Sequence, residues 1–366
     1  MTVRGEVLRS IVLVAIVRCI SSSERDVAAC NTTNLRRIYL AVRIATSGGM
    51  LLIIGHLFCG LDAVAAVTAA KEILWRAPQK FDVTAVRVSK PAPPFHFVRE
   101  DLSGRSPKVE VRDARGRLWS VKFGEEARAE AFAARFIGAL GFYSDATYYL
   151  HEGQIRNAKK LKRSRRYIDS SGSFRDARFE YRDPSCRLLE DANWSWQYNP
   201  FLGTREFGGL KILVMLLSNW DHKDAEDGDS NNGILECSTG GSRTRFYYVA
   251  DWGGSLGKWG RKFVHNRWDC EGFAEQTPKF VKGVACEERV EFGFTSGRRA
   301  GEFKADITLG DVRWAAERLR HVSDAQLRVA LKHSGADRHE VDHFSQALRM
   351  RIAALQQAGI YQRTIR

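Results

Sequence analysis

The chain has no CxxC cysteine pair and no cysteine spacing of the zinc-ribbon kind, which argues against a structural zinc. It has no internal repeats. It is short of acid: 43 Asp and Glu stand against 57 Lys and Arg, a formal net charge of +14. That balance suits an anionic partner such as nucleotide, nucleic acid, anionic lipid or acidic protein, and does not choose among them. Part of the excess is local. Residues 155–182 carry ten Lys and Arg against three acids and read as a basic insertion or flexible loop. What the chain does have is apolar mass. Of 366 residues, 44% are hydrophobic, with nine Trp and twenty Phe, which is enough for two or three lobes with cores and is not a disordered composition.

The first 75 residues differ from the rest. Ile11 to Val17 is apolar but too short to span a bilayer. Residues 49–70, GMLLIIGHLFCGLDAVAAVTAA, follow Arg36, Arg37 and Arg43 and end in small residues, the pattern of a signal peptide or single membrane anchor. His56 and Asp62 oppose a spanning helix, and a buried core helix is the other interpretation. The expectation is export or anchoring, and a cytoplasmic location if 49–70 is not a targeting signal. Met50 is an alternative start. Cys186, Cys237, Cys270 and Cys286 pair as disulfides if the chain is exported and stay as thiols if it is not.

After a proline-rich joint, Ser89 to Phe95, strands are expected. Lys108 to Asp113 alternates apolar and polar residues, Ala114 to Gly116 turns the chain, and Arg117 to Phe123 returns it as a hairpin. Glu125 to Leu140 places Ala129, Phe132, Ala133, Phe136 and Leu140 on one helical face, closed by Gly141. Ala146 to Gly153 reads as another strand. Gly208 to Trp220 reads as a buried helix. Gly233 to Cys237 and Arg245 to Ala250 read as two short strands around a Gly/Ser turn. Ser323 with Gln326 forms a capping box, and Asp337 to Gln357 an amphipathic helix.

Between the buried helix and that second hairpin lies SNWDHKDAEDGDSNNG, Ser218 to Gly233, with four aspartates and two adjacent asparagines. Tyr248 to Gly254, YVADWGG, comes next. In this order the chain resembles the protein-kinase-like superfamily from about Phe95 to about Gly257, closest to atypical bacterial kinases of the HipA-like and secreted types. The resemblance implies an α+β, two-lobed kinase-like fold with a small strand-rich N-lobe at 80–153 and a larger helical C-lobe at 154–366, preceded by the region 1–75. It makes Lys122 in SVKF the phosphate-binding lysine, with Glu130 as its helix partner and Glu126 second. Asp221 becomes the catalytic base, with Lys223 beside the transferred phosphoryl group. Asp251 of DWG and either Asn231 or Asn232 become metal ligands, Asn231 being favoured. Ser103 and Gly104 would cover the phosphates. ATP and Mg²⁺ (or Mn²⁺) are the implied cofactors, and a hydroxyl of a protein, lipid or small molecule the acceptor. Adenylyl transfer on the same scaffold stays open. No specific nucleic acid is implied.

Such residues suit phosphoryl transfer, which asks a protein mostly to position groups and neutralise charge. Hard oxygen ligands hold Mg²⁺, and a separate carboxylate takes the attacking hydroxyl's proton. Two departures stand out. No GxGxxG loop precedes the hairpin, and ten residues separate Asp221 from Asn231 where a kinase has about five. The extra residues AEDGD, Ala225 to Asp229, are expected to bulge into solvent. If they spoil metal binding, a pseudokinase or basic binding module using 155–182 is the alternative. A rival motif, HEVDH at 339–343, matches a zinc hydrolase. It sits on the face opposite the stripe of Val341, Phe344, Leu348, Ile352 and Leu355, so both histidines are expected in solvent.

Overall fold

Alternation of apolar and polar residues builds the first half of the fold. In the computed structural model, which describes residues 70–360 apart from 105, 191, 228, 229, 286, 287, 298 and 299, strands β2 (Phe95–Asp101), β3 (Lys108–Arg112), β4 (Leu118–Phe123), β5 (Thr147–Arg156) and β6 (Ser173–Tyr181) close into a barrel in the order β2-β3-β4-β6-β5. The expected hairpin is β3–β4, pairing Lys108 with Lys122 and Arg112 with Leu118. Its turn is held by Asp113, whose carboxylate accepts from the amides of Arg115 and Arg117 and from the Trp119 indole. Trp119, Val121 and Phe123 point into the barrel core with Phe95, Ile155, Ala177 and Phe179. Their neighbours Ser120 and Lys122 therefore point the other way.

Residues 155–182, expected as an inserted basic loop, instead supply the end of β5 and all of β6. The barrel runs through Tyr181, past residue 153. Two features hid this strand. Asp176 has a left-handed backbone (φ 51°), so the inward parity changes from Phe174 to Ala177 and Phe179. And the charges on β6 do not all face water, because Arg178 and Glu180 are buried.

Helix α1 (Glu126–Ala139) follows β4 and buries Ala129, Phe132, Ala133 and Phe136, as its spacing predicts. It ends at Gly141, where φ is +95° and a Cβ would lie 2.3 Å from the Arg76 carbonyl oxygen, so only glycine fits. A second sheet joins β1 (Lys71–Ile73), β7 (Cys186–Leu188), β8 (Asn232–Thr239) and β9 (Ser242–Val249) in the order β1-β9-β8-β7. Gly240 and Gly241, both at positive φ, turn β8 into β9. Cys186 and Cys237 face each other across β7 and β8 and form a disulfide. Cys270 is a buried free thiol, and Cys286 lies outside the described residues.

The rest is mostly helical, with a small pair of strands, β10 (Val281–Val284) and β11 (Val290–Phe292). Helix α2 (Arg205–Leu216), capped by Thr204, is buried from Phe207 onward. It packs on α5 (Leu309–Leu319), which begins at a Thr308–Asp311 capping box and follows the short helices α3 (Cys270–Gln276) and α4 (Ala300–Lys304). Helix α6 (Asp324–His333) opens on the expected Ser323–Gln326 capping box. Helix α7 (Arg338–Ile360) buries Val341, Phe344, Leu348, Ile352 and Leu355. From the same helix comes Arg351, whose buried guanidinium is satisfied by neutral oxygens. It donates to the carbonyls of Leu216 and Phe273 and to the hydroxyls of Ser218 and Thr277. It thereby fixes the end of α2, where the chain turns through Ser218 (φ 57°) into the aspartate-rich loop. Among the described residues no helix is long and apolar enough to cross a membrane. The segment at 49–70 lies outside them.

Candidate active site

Lys122 leaves β4 on the face away from the barrel core and is 6% exposed. Burying an ammonium requires partners, and it has three. It is bonded to Glu130, lies 2.6 Å from Glu126 Oε2 and 3.6 Å from Asp251 Oδ2. Glu126 and Glu130 are one turn apart on α1, so their side chains share a face. Burial disfavours the Lys122 charge, but Glu130, Asp251 and Glu126 outweigh it and raise its pKa. Glu130 responds most to its own burial, which lifts the carboxyl to about 7 against the pull of Arg178 and Lys122. Burial opposes the charge of Asp251 too, yet Lys122 and the Gly253 amide hold it well below the usual carboxylate range.

Asp251 enters from the end of β9. Its Oδ1 accepts from the Gly253 amide at 2.8 Å, and its carbonyl accepts from Asn219 Nδ2 at 3.2 Å. Gly253 is needed because a Cβ would fall 2.9 Å from Glu126 side-chain carbons. The loop after α2 meets this segment directly: the Trp220 amide donates to the Gly254 carbonyl at 3.4 Å. Asp221 comes next, with Lys223 Nζ 3.9 Å from its Oδ2. Asn231 donates its amide N–H to the Lys223 carbonyl and its Nδ2 to the Asp221 carbonyl at 2.6 Å. Lys122, Glu130, Asp221, Lys223, Asn231 and Asp251 all line one cleft of about 730 Å³.

Asn232 turns the other way. It is buried and donates Nδ2 to the Trp194 carbonyl. The alternation of an extended segment separates the two asparagines. Of the extra residues AEDGD, Ala225 to Asp227 form a 3-10 turn, with Ala225 and Glu226 exposed. Glu226 accepts from the Ser195 hydroxyl, and Asp227 from the Asp224 amide. Local bonds thus engage both acids outside the cleft. Gly228 and Asp229 lie outside the described residues.

Between β2 and β3, Gly104 lines the cleft but Ser103 does not; the Ser103 amide donates to Asp101 within its own turn. The residue of that turn that reaches the acidic cluster is Ser106, whose hydroxyl donates to Glu126 Oε2 at 2.8 Å. Arg178, Glu180, Arg182 and Arg267 also belong to the cleft and were missed in the sequence. Arg178 Nε is 2.9 Å from Glu130 Oε2, and Arg267 pairs with Glu126. The F-E-Y alternation at the end of β6 was the available signal for the first two.

Carboxylate oxygens of Glu126, Glu130 and Asp251 lie within 4.8 Å of one another, the one such acidic group among the described residues. This donor set suits a hard dication such as Mg²⁺ or Mn²⁺, and Asn231 lines the same cleft. The rival histidines are not so arranged. His339 is exposed as expected but His343 is half-buried, the two rings lie 4.2 Å apart, and Glu340 accepts from Trp268 Nε1 and the Asp337 amide.

No family model and no curated protein matches this chain. Solved structures do. One is a Golgi casein kinase with Mn/ADP bound, at 9% identity and a TM-score of 0.34, covering 74% of this chain and 75% of that one. A second Golgi casein kinase structure gives 10%, 0.33, 75% and 74%. Both neighbours are Golgi kinases and neither is HipA-like, one of the two types, HipA-like and secreted, that the motifs resemble. The likeness is loose, and the functional assignment rests on the geometry of the cleft.

Proposed function

We propose that the chain is a metal-dependent atypical kinase that transfers the terminal phosphoryl group of a nucleoside triphosphate to a hydroxyl. The observation that carries this is the convergence of Lys122, Glu130 and Asp251, from three separate elements, in one cleft with Asp221 and Asn231. On this reading the barrel with α1 is the N-lobe, extending to Tyr181, and the helical remainder is the C-lobe.

Lys122 presents its ammonium to phosphate oxygens, with Glu130 fixing its direction and Arg178 backing Glu130. Asp251, Asn231 and Glu126 would hold Mg²⁺ or Mn²⁺, which supplies charge neutralisation for the phosphates when bound. Asp221 takes the proton of the acceptor hydroxyl. The freed oxygen attacks the terminal phosphorus, and the bond to the bridging oxygen breaks to release the diphosphate. Lys223 places a positive charge beside Asp221, where the phosphoryl group passes. The Ser106 turn closes over Glu126 in place of a glycine-rich loop.

The disulfide between Cys186 and Cys237 supports the exported reading, because such bonds persist in oxidising compartments. The test is Asp221→Asn. It should keep nucleotide binding and lose phosphate transfer by roughly 10²–10⁴-fold, read by mass spectrometry of the intact protein after incubation with Mn²⁺ and nucleoside triphosphate. Unchanged transfer would remove Asp221 as the base.

A further inference from the structure

The cleft continues past Lys122 along the barrel wall, and that end is polar. β4 and β6 are in register, so Lys122 stands opposite Arg178 and Ser120 opposite Glu180. The next step brings Arg182, whose amide donates to the Leu118 carbonyl. Ser120, Glu180 and Arg182 all line the cleft, with Asp145, Leu188 and Tyr248. If Lys122 marks the phosphates, this is where a nucleobase lies, about 7 Å further along the strand.

One group there lacks a partner. Ser120 is 1% exposed, and its hydroxyl, on the cleft side of β4, has no hydrogen-bond partner. A buried hydroxyl left this way costs free energy unless a ligand completes it. Asp145 is also under-used: it accepts one long bond, 3.3 Å, from the Tyr143 hydroxyl. Burial and then Glu180 lift its carboxyl to about 7, so it gains from any donor it meets. Arg182 directs Nη1 to Glu180 at 2.6 Å and keeps its other N–H groups for a further acceptor.

The main chain offers little to an adenine edge, which needs a donor opposite N1 beside an acceptor for N6–H. In the exit segment YRDPSC, the amides of Tyr181 and Arg182 are used inside the barrel, those of Ser185 and Cys186 go to Asp183, and Pro184 has none; the amide that remains is that of Asp183, a residue that does not line this cleft. In its charged form the Asp145 carboxylate would also face a lone pair at adenine N1, and only its protonated form would donate there. Guanine has the opposite edge. Its N1–H and N2–H₂ are adjacent donors that a carboxylate accepts together, and O6 and N7 take donors.

We propose that the base end of this cleft takes guanine, with the Asp145 carboxylate receiving N1–H and N2–H₂ and the Arg182 guanidinium and Ser120 hydroxyl donating to O6 and N7. This rests on the phosphotransferase reading and replaces the adenosine nucleotide that the kinase resemblance implies.

The experiment is calorimetric binding of GDP, ADP and inorganic tripolyphosphate to the full chain with Mn²⁺. A bidentate base contact is worth about tenfold or more in discrimination, so GDP should bind at least about tenfold tighter than ADP. Asp145→Asn should erase that preference, leave tripolyphosphate binding unchanged, and favour XDP, whose O2 accepts from the new amide. ADP binding equal to or tighter than GDP would overturn the base assignment and leave the phosphotransferase reading standing. Failure of all three ligands would overturn both.

Discussion

Replacing Lys122 by Met removes the cation that touches Glu126, Glu130 and Asp251 together, while keeping most of the apolar stem. Breaking a buried ion pair by deleting one partner costs about 3–5 kcal/mol. Lys122 is buried, but Arg178 and Arg267 remain beside Glu130 and Glu126, so the lower end, about 3 kcal/mol, applies near pH 8. The loss has a sign with pH. Without Lys122 the folded carboxyls hold protons more tightly than unfolded ones do. The folded state then binds the extra proton, so stability falls as pH rises. Toward about pH 5 the cost should shrink to roughly 1 kcal/mol as Glu130, already lifted to about 7, becomes protonated. Millimolar Mn²⁺ should restore part of the stability at pH 8, since a dication fits among oxygens within 4.8 Å. Urea unfolding followed by tryptophan fluorescence, across pH and with and without Mn²⁺, reads all three effects. A cost that is flat with pH, or below about 0.5 kcal/mol at pH 8, would refute this picture of the cluster.

Opening the Cys186–Cys237 disulfide, by reductant or by Cys186→Ser with Cys237→Ser, frees a loop with a sequence separation of 51 and should cost about 2–4 kcal/mol in unfolding experiments; an unchanged midpoint would mean that the bond constrains nothing. Asn231→Ala should raise the metal concentration needed for nucleotide binding, besides costing about 1 kcal/mol of stability through the lost bond to the Asp221 carbonyl. Asn232→Ala should cost about 1–2 kcal/mol of stability through the lost bond to Trp194 but leave the metal requirement alone. The reverse pattern would take Asn231 out of the metal site.

Much of the site was legible because its residues fall at points where periodicity speaks. The β3–β4 hairpin ends at Lys122, the α1 stripe leaves Glu126 and Glu130 on the cleft side, and the β8–β9 hairpin leads to Asp251. Alternation along the chain also separates Asn231 from Asn232. What stayed hidden has more than one cause, and the first is polar side chains that are buried. Arg178 and Glu180 count as surface charge in any tally of residues 155–182, yet they face Glu130 and Arg182 inside the cleft. Arg267 lies 141 residues from its partner Glu126, and only the fold brings them together. Ser106 takes the place expected of Ser103 because the turn after β2 folds Ser103 back onto Asp101 and leaves the later serine facing α1. The pairing of Cys186 with Cys237 follows from strand register, which cysteine count alone does not contain.

If Asp251 and its neighbours make a metal-dependent nucleotide site, equilibrium binding tests it most directly. Asp251→Asn keeps an oxygen for the Gly253 amide, so the loop should hold its shape while the metal loses a charged ligand. Nucleoside diphosphate should bind the wild-type chain with Mn²⁺ and weakly without it, and the variant should lose the metal-dependent part, about tenfold or more in affinity. Binding that is indifferent to metal in the wild type, or unchanged in Asp251→Asn, would contradict the metal-site assignment.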